Sequence, residues 1–476
     1  MIGRKEEIER LMSYADSNRA EFVAVYGRRR VGKTFLVNKV FEGRLTFEMT
    51  GIMSGNKAAQ MHAFADALDM YGYRVEHLPK NWYSAFQLLR QFLEVKQKEG
   101  NRCIVFIDEL PCFDTPRSDF VNALGYFWNS WASRQENMLL IVCGSATSWM
   151  MEHVVDNHGG LHDRITHEIH LREFTLLETE KYLESAGFVW DRLLVMQAYM
   201  VMGGIPYYLS LLDNTMSLAQ NIDRLFFRMD GEMRREYHRL YRTLFKNSDP
   251  YLAIIEALFK KKKGLTRDEI AAITGKDANG RLSKMLQNLV DCDIVRFYYV
   301  KHKKITSKNG IYQLMDFYSL FFLQFLKEGI TDEQFWTKSL GTPLLNTWMG
   351  LAFEHVCLAH IRQIKHALGI EGIRTEYYTW RSEAIEKDSS ERKAQIDLVV
   401  ERSDKMVNIC EAKYCEEPYL LTKEEYEKFQ HRMSLYRQQT AFKGGVIPTF
   451  ITPYGLHRNP YADYIVRVVR LDDLFA

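Results

Sequence analysis

Gly27-Arg28-Arg29-Arg30-Val31-Gly32-Lys33-Thr34 decides the reading of this chain. Its Gly-x-x-x-x-Gly-Lys-Thr spacing is that of a P-loop, and it has the context such a loop needs, with an apolar run at 22–26 before it and a helical pattern after it. In that geometry the backbone N–H groups from Gly27 through Arg28, Arg29, Arg30, Val31 and Gly32, with the helix N-terminus, surround phosphate oxygens. Lys33 then reaches the β and γ oxygens and the Thr34 hydroxyl helps hold Mg²⁺. The cofactors implied are ATP and Mg²⁺.

Downstream, Ile104-Val105-Phe106-Ile107-Asp108-Glu109 reads as an apolar strand that ends in two carboxylates. Asp108 is placed to hold Mg²⁺ through water, and Glu109 to orient and activate the attacking water, so hydrolysis is expected rather than binding alone. That pair also argues against a metabolic kinase.

Around these motifs, short apolar runs at 22–26, 45–49, 103–107, 139–143 and 166–171 alternate with longer helical patterns. This is the rhythm of an α/β fold whose parallel strands are buried on both faces. The expected order is a P-loop ATPase core at 1–172, a helical lid at 173–246, a winged helix-turn-helix at 247–315, a helical linker at 316–344 and a second α/β domain at 345–476. At 476 residues, 46% hydrophobic and 26% charged, the chain has material for several cores.

A formal net charge of +2 makes no global case for a polyanion, so any DNA surface must be local. The early charges at Arg4, Lys5, Glu6 and Glu7 argue against an export signal. The longest greasy stretch, 317–326, falls short of the roughly 20 residues a bilayer needs, so no membrane partner is expected. Seven cysteines without a Cys-x-x-Cys pair suit reduced thiols in a cytoplasm.

The winged-helix reading rests on helices expected at 251–260, 266–274 and 278–291 and a hairpin at 295–300 and 310–314. Asn279, Arg281, Lys284 and Gln287 would share a face of the third helix, and Lys301, Lys303, Lys304 and Lys308 would line the hairpin. They suit DNA phosphates, and equally a solvated internal spacer. The run Lys260-Lys261-Lys262-Lys263 is open in the same way, because a helix C-terminus attracts cations by its dipole.

In the last segment, 394–400 and 407–413 read as paired strands. Glu411 and Lys413 are two residues apart and so share a face, where Asp397 from the neighbouring strand can approach. Asp397 and Glu411 are candidate Mg²⁺ ligands, with Lys413 to orient a water or neutralise developing charge. The alternative is a strand-edge salt bridge between Glu411 and Lys413 with Asp397 capping a turn.

With these residues in view, the first half resembles the archaeal-type ATPases, a branch of the AAA+ and STAND P-loop ATPases. Ile2-Gly3-Arg4-Lys5-Glu6 is similar to that family's Gly-Arg-x-x-Glu box near the adenine, and Gly204-Ile205-Pro206 to its Gly-x-Pro lid signature. The resemblance implies roles for Gly3, Arg4 and Pro206 at the nucleotide, for Ser145 as a sensor, and for Arg164 as the arginine on the γ-phosphate. Whether Arg164 acts within its chain or on a neighbouring copy stays open, and with it a homo-oligomer or a protein partner.

The segment from 345 to 470 resembles the PD-(D/E)xK nuclease superfamily, with Glu411-Ala412-Lys413 as its Glu-x-Lys, Asp397 as its aspartate and Glu354 as the glutamate of its first helix. Ile396 stands where that family often has proline, and Gln430 is an accessory candidate. Together the motifs predict an ATP-hydrolysing protein that acts on DNA, its nucleotide state controlling a Mg²⁺-dependent nuclease-like domain. A regulatory switch that binds DNA or a protein without cleaving is the alternative.

Overall fold

In a computed structural model the described residues are 2–100, 102–155, 161, 163–245, 247–299, 309–382 and 394–476. The chain divides into two compact units, one of residues 1–173, 240–248 and 287–293, the other of 174–239, 249–286 and 294–476.

Strands β1 (Glu21–Tyr26), β2 (Phe47–Thr50), β3 (Cys103–Asp108), β4 (Met138–Gly144) and β5 (His167–His170) build the first unit's sheet, in the order β2-β3-β4-β1-β5. Every pairing in it is parallel. Each residue of β1, β3 and β4 is buried, as expected when helices cover both faces. On one side Phe22, Phe47, Phe64, Trp82, Phe86 and Phe120 pack together, with Trp82 edge-on to Phe120 at 4.8 Å. The run expected at 45–49 begins instead at Phe47, because Thr46 turns its hydroxyl to accept from the Ile104 N–H at 3.1 Å.

In the second unit the lid region opens with helix Leu176–Ser185, whose N-terminus carries a reciprocal Thr175/Glu178 cap. Helices Asp249–Lys260, Arg267–Thr274 and Gly280–Asp291, the last of which ends among the residues 287–293 assigned to the first unit, alternate with a small antiparallel sheet whose first strand falls between the first two helices. It is made of β6 (Leu265–Thr266), β7 (Val295–Tyr299) and β8 (Gly310–Leu314), in the order β6-β8-β7. The two-residue β6 is too short to leave a periodic signal in the sequence. The third helix starts at Gly280, since the Asn279 side chain accepts from Arg281 N at 3.0 Å and Leu282 N at 3.2 Å and so caps it. Lys301, Lys303, Lys304 and Lys308 lie outside the described residues.

The C-terminal segment follows helix Pro343–Ala359 with β9 (Thr375–Arg381), β10 (Gln395–Arg402), β11 (Met406–Ala412), helix Lys423–Thr440, β12 (Gly445–Ile451) and β13 (Arg467–Val469). The sheet order is β13-β12-β11-β10-β9, antiparallel from β9 to β11 and parallel from β11 to β13. Tyr378, Ile396, Val399, Ile409 and Phe450 from the sheet and Phe429 and Tyr436 from the helix close its core. Among the described residues no helix is long and apolar enough to cross a membrane.

Candidate functional site

The P-loop is shaped by its glycines. Gly27 has φ +147° and a Cβ there would stand 2.2 Å from the Leu171 carbonyl oxygen, so no larger residue fits. Gly32, at φ +92°, turns the backbone into helix Lys33–Val40. Arg30 also adopts positive φ, +73°, a conformation that costs a non-glycine residue energy and recurs where backbone must face a ligand. Lys33 is buried, and its Nζ donates to the loop's own carbonyls, Gly27 O at 2.8 Å and Arg28 O at 2.9 Å. Burial lowers the Lys33 pKa, with the charges of Glu109 and Asp108 among the groups that pull the other way.

Thr34 Oγ1 donates to Asp108 Oδ2 at 2.7 Å, which joins the first helical turn to the end of β3. The other Asp108 oxygen accepts the Glu109 N–H at 2.8 Å, and Glu109 sits at φ +47°. Its carboxylate is held by Ser145, whose hydroxyl donates to Oε2 at 2.8 Å. Buried Arg4 donates to Val31 O at 3.2 Å and so anchors the N-terminal segment on the loop, while Arg29 bonds the Thr243 hydroxyl at 2.6 Å. A glycine-shaped backbone cradle, a buried ammonium beneath it, and a hydroxyl and carboxylate side by side fit a nucleotide triphosphate and the hard-oxygen preference of Mg²⁺.

Residues 1–212 match a family described as an ATPase domain predominantly from Archaea. The chain belongs to this P-loop ATPase family through those residues. Over 364 residues, 75% of this chain and 76% of the relative, it is 26% identical to an uncharacterised protein of Methanocaldococcus jannaschii. A stretch of 43 residues, 9% of this chain and 73% of the relative, is 46% identical to an uncharacterised ATP-binding protein of the same archaeon. Among solved structures it is similar to the Walker-type ATPase of Pyrococcus abyssi, at 17% identity and TM-score 0.46, covering 68% of this chain and 96% of that one. It is also similar to the ORC2 protein of Aeropyrum pernix, at 14% identity and TM-score 0.41, covering 67% and 92%.

Arg164 and Pro206 are further residues expected at the nucleotide. Arg164 is exposed in the turn before β5, and among the described residues none of the side-chain contacts above includes it. Pro206 belongs to the second unit, where it opens the short helix Pro206–Leu209. Gly204 before it touches the backbone of Phe174, whose N–H donates to Gly204 O at 2.7 Å.

The residues singled out in the C-terminal segment do converge. Asp397 lies at an irregularity of β10, where the register with β9 shifts between Ile396 and Val399, and such bulges re-aim side chains. Its Oδ2 accepts the Ala412 N–H at 3.3 Å, which brings it to Glu411 on β11 and to Lys413, which stands just past the strand's last residue, Ala412, rather than on the strand as expected. Glu411 is buried and paired twice, with Lys413 Nζ at 3.0 Å and with Arg432 Nη1 at 2.6 Å. Glu354, from helix Pro343–Ala359, and Asp397 share one cation, Lys263 Nζ, which is 3.0 Å from Asp397 Oδ1 and bonded to Glu354 Oε2. Burial, then the Asp397 charge, pushes the Glu354 carboxyl up to about 7, and the same two causes raise that of Glu411. Burial works against the Lys263 ammonium, but the charges of Asp397 and Glu354 outweigh it and raise its pKa.

This changes the expected roles. Asp397 and Glu411 were expected as metal ligands, yet among the described residues no group of three or more His, Cys, Asp or Glu is arranged to hold a metal ion. The carboxylates turn their oxygens to Lys263, Lys413 and Arg432, so as arranged they do not fit Mg²⁺. Lys263 was expected to be solvated or to face DNA, and its side chain is only 14% exposed. Arg432 was not anticipated, since one arginine on a charged helix carries no local signal. Gln430, exposed on that helix, donates to the Tyr426 hydroxyl and takes no part.

Proposed function

We propose that this chain is an ATP-hydrolysing switch whose nucleotide state controls a C-terminal nuclease-like domain acting on DNA. The observation that carries the first part is the Thr34, Asp108, Glu109 and Ser145 chain of contacts beside the buried Lys33. The loop amides, Lys33, Thr34 and Asp108 would hold Mg²⁺·ATP, and the metal would supply neutralisation of the charge that develops on the phosphoryl group. Lys33 leaves its two loop carbonyls to donate to phosphate oxygens, and the Thr34 hydroxyl and Asp108 carboxylate furnish the hard oxygens beside them. Glu109 accepts a proton from the attacking water, and Ser145 keeps that carboxylate aimed.

The nuclease-like part is supported by four residues named from a motif, Glu354, Asp397, Glu411 and Lys413, meeting at one end of a mixed sheet behind a long helix. The order of three helices and a hairpin ahead of it suits a winged helix-turn-helix, with exposed Arg281 and Lys284 as phosphate contacts. A second reading, nucleotide-dependent binding of DNA or a protein without cleavage, is favoured by the full pairing of the three carboxylates with cations.

The test is a cleavage assay on plasmid and single-stranded DNA with Mg²⁺ or Mn²⁺, with and without ATP, on wild type, Lys33→Ala and Lys413→Ala. Cleavage lost in Lys413→Ala supports the nuclease reading, and loss in Lys33→Ala supports nucleotide control. ATP hydrolysis without cleavage under every condition sinks the nuclease reading in favour of the second.

A further inference from the structure

The carboxylate cluster contains its own charge balance. Glu354, Asp397 and Glu411 face Lys263, Lys413 and Arg432, three carboxyl groups to three cations. Two of those cations are local to the sheet, Lys413 immediately after β11 and Arg432 on the helix that packs on it. The third is delivered from outside that sheet, by the turn between helix Asp249–Lys260 and β6.

That turn is held for the purpose. Gly264, at φ +91°, has no room for a side chain, since a Cβ would come within 2.6 Å of both Ile311 and the Tyr312 carbonyl oxygen. The Lys262 carbonyl accepts from Gln313 Nε2 at 2.9 Å, and the Lys263 carbonyl from the Tyr298 hydroxyl at 3.3 Å, both from the small sheet. From the same sheet Arg296 donates to the Thr379 hydroxyl at 3.1 Å, and that hydroxyl donates to the Asp397 carbonyl at 3.1 Å. One small sheet therefore holds the backbone that aims Lys263 and braces the strand that aims Asp397.

We propose that Lys263 and a divalent hard cation are mutually exclusive occupants of the position between Glu354 and Asp397. An ammonium within bonding distance of both carboxylates fills the space that a small divalent ion, with oxygen ligands at about 2 Å, would need. Removal of the Lys263 ammonium leaves two partly buried carboxyl groups facing each other, a position that a hard cation fills in competition with a proton. The inference rests on the metal-dependent reading of this cluster given above, and explains why named metal ligands are met here in a pairing that excludes one.

Mn²⁺ alone, titrated into the nucleotide-free full-length chain and followed by the electron paramagnetic resonance of the free ion, tests it. Lys263→Met is expected to bind Mn²⁺ at least tenfold more tightly than wild type, Lys263→Arg to resemble wild type, and Lys263→Met with Asp397→Asn to lose the gain. Equal Asp397-dependent binding in wild type and Lys263→Met overturns the exclusion and leaves the metal-dependent reading standing. No Asp397-dependent binding in either overturns both. Thermal unfolding of Lys263→Met and Lys263→Gln is a second readout, with Mn²⁺ raising their midpoints by several degrees more than that of wild type. Midpoints that ignore Mn²⁺ in both variants likewise overturn the proposal.

Discussion

Thr34 Oγ1 and Asp108 Oδ2 are 2.7 Å apart, a hydrogen bond between the first turn of the P-loop helix and the end of β3. The two groups are 74 positions apart in the chain, and their meeting places a hydroxyl and a carboxylate where one hard cation would be held by the hydroxyl and, through water, by the carboxylate. Thr34→Ala and Asp108→Asn are each expected to lower the turnover of ATP by about 10²- to 10³-fold, the scale of losing one electrostatic group in a transition state. Phosphate release measured against Mg²⁺ concentration checks this, with the half-saturating Mg²⁺ rising in both variants.

Glu109 and Ser145 form the second pair, and their roles separate by magnitude. Glu109→Gln removes the base and is expected to cost roughly 10²- to 10³-fold in turnover while a fluorescent ATP analogue still binds. Ser145→Ala removes only the hydroxyl that aims the carboxylate, and one such hydrogen bond corresponds to about tenfold. Single-turnover hydrolysis of the two variants distinguishes them, and equal losses would sink the positioning role of Ser145.

Arg432 is predicted to matter for stability. Glu411 is 4% exposed at its side chain, and Arg432 is the less exposed of its two cations, at 21% against 34% for Lys413. Arg432→Met leaves a buried carboxylate partly uncompensated, at an expected cost of about 3 kcal/mol in urea unfolding of the second unit. Lys413→Met should cost less, because its ammonium is the more solvent-accessible of the two and is better screened.

His360 gives the second unit a pH dependence. It is buried, its Nε2 accepts the Leu176 N–H at 3.0 Å, and burial pushes its pKa down to about 4. In the unfolded chain the imidazole takes a proton near pH 6.5, so between about 6.5 and 4 the unfolded state binds more protons than the folded one. The His360 contribution is therefore full above that window and is lost as pH falls through it, by up to about 3 kcal/mol. Thermal midpoints of wild type and His360→Gln, compared between pH 7 and 4.5, should show a shallower decline in the variant.

Much of this was legible in the chain itself. The eight residues of the P-loop, the apolar run ending in Asp108 and Glu109, and the Glu411 and Lys413 pair two residues apart are local patterns, set by spacing along the chain. The alternation of short apolar runs with helical periodicity announced the parallel sheet, because strands covered on both faces must be apolar throughout.

What only the tertiary structure decided is which charges meet. Lys263 lies 91 residues from Glu354 and 134 from Asp397, and nothing in a run of four lysines at a helix end says which of them turns inward. That choice belongs to Gly264, Gln313 and Tyr298, which fix the turn, and to the shift in β10 that aims Asp397. The sequence by itself determined the elements and the motifs they carry, since periodicity and motif spacing act along the chain. Tertiary packing determined the state of the second cluster, since the partner of a buried charge is selected in space, by whichever distant turn is held against it.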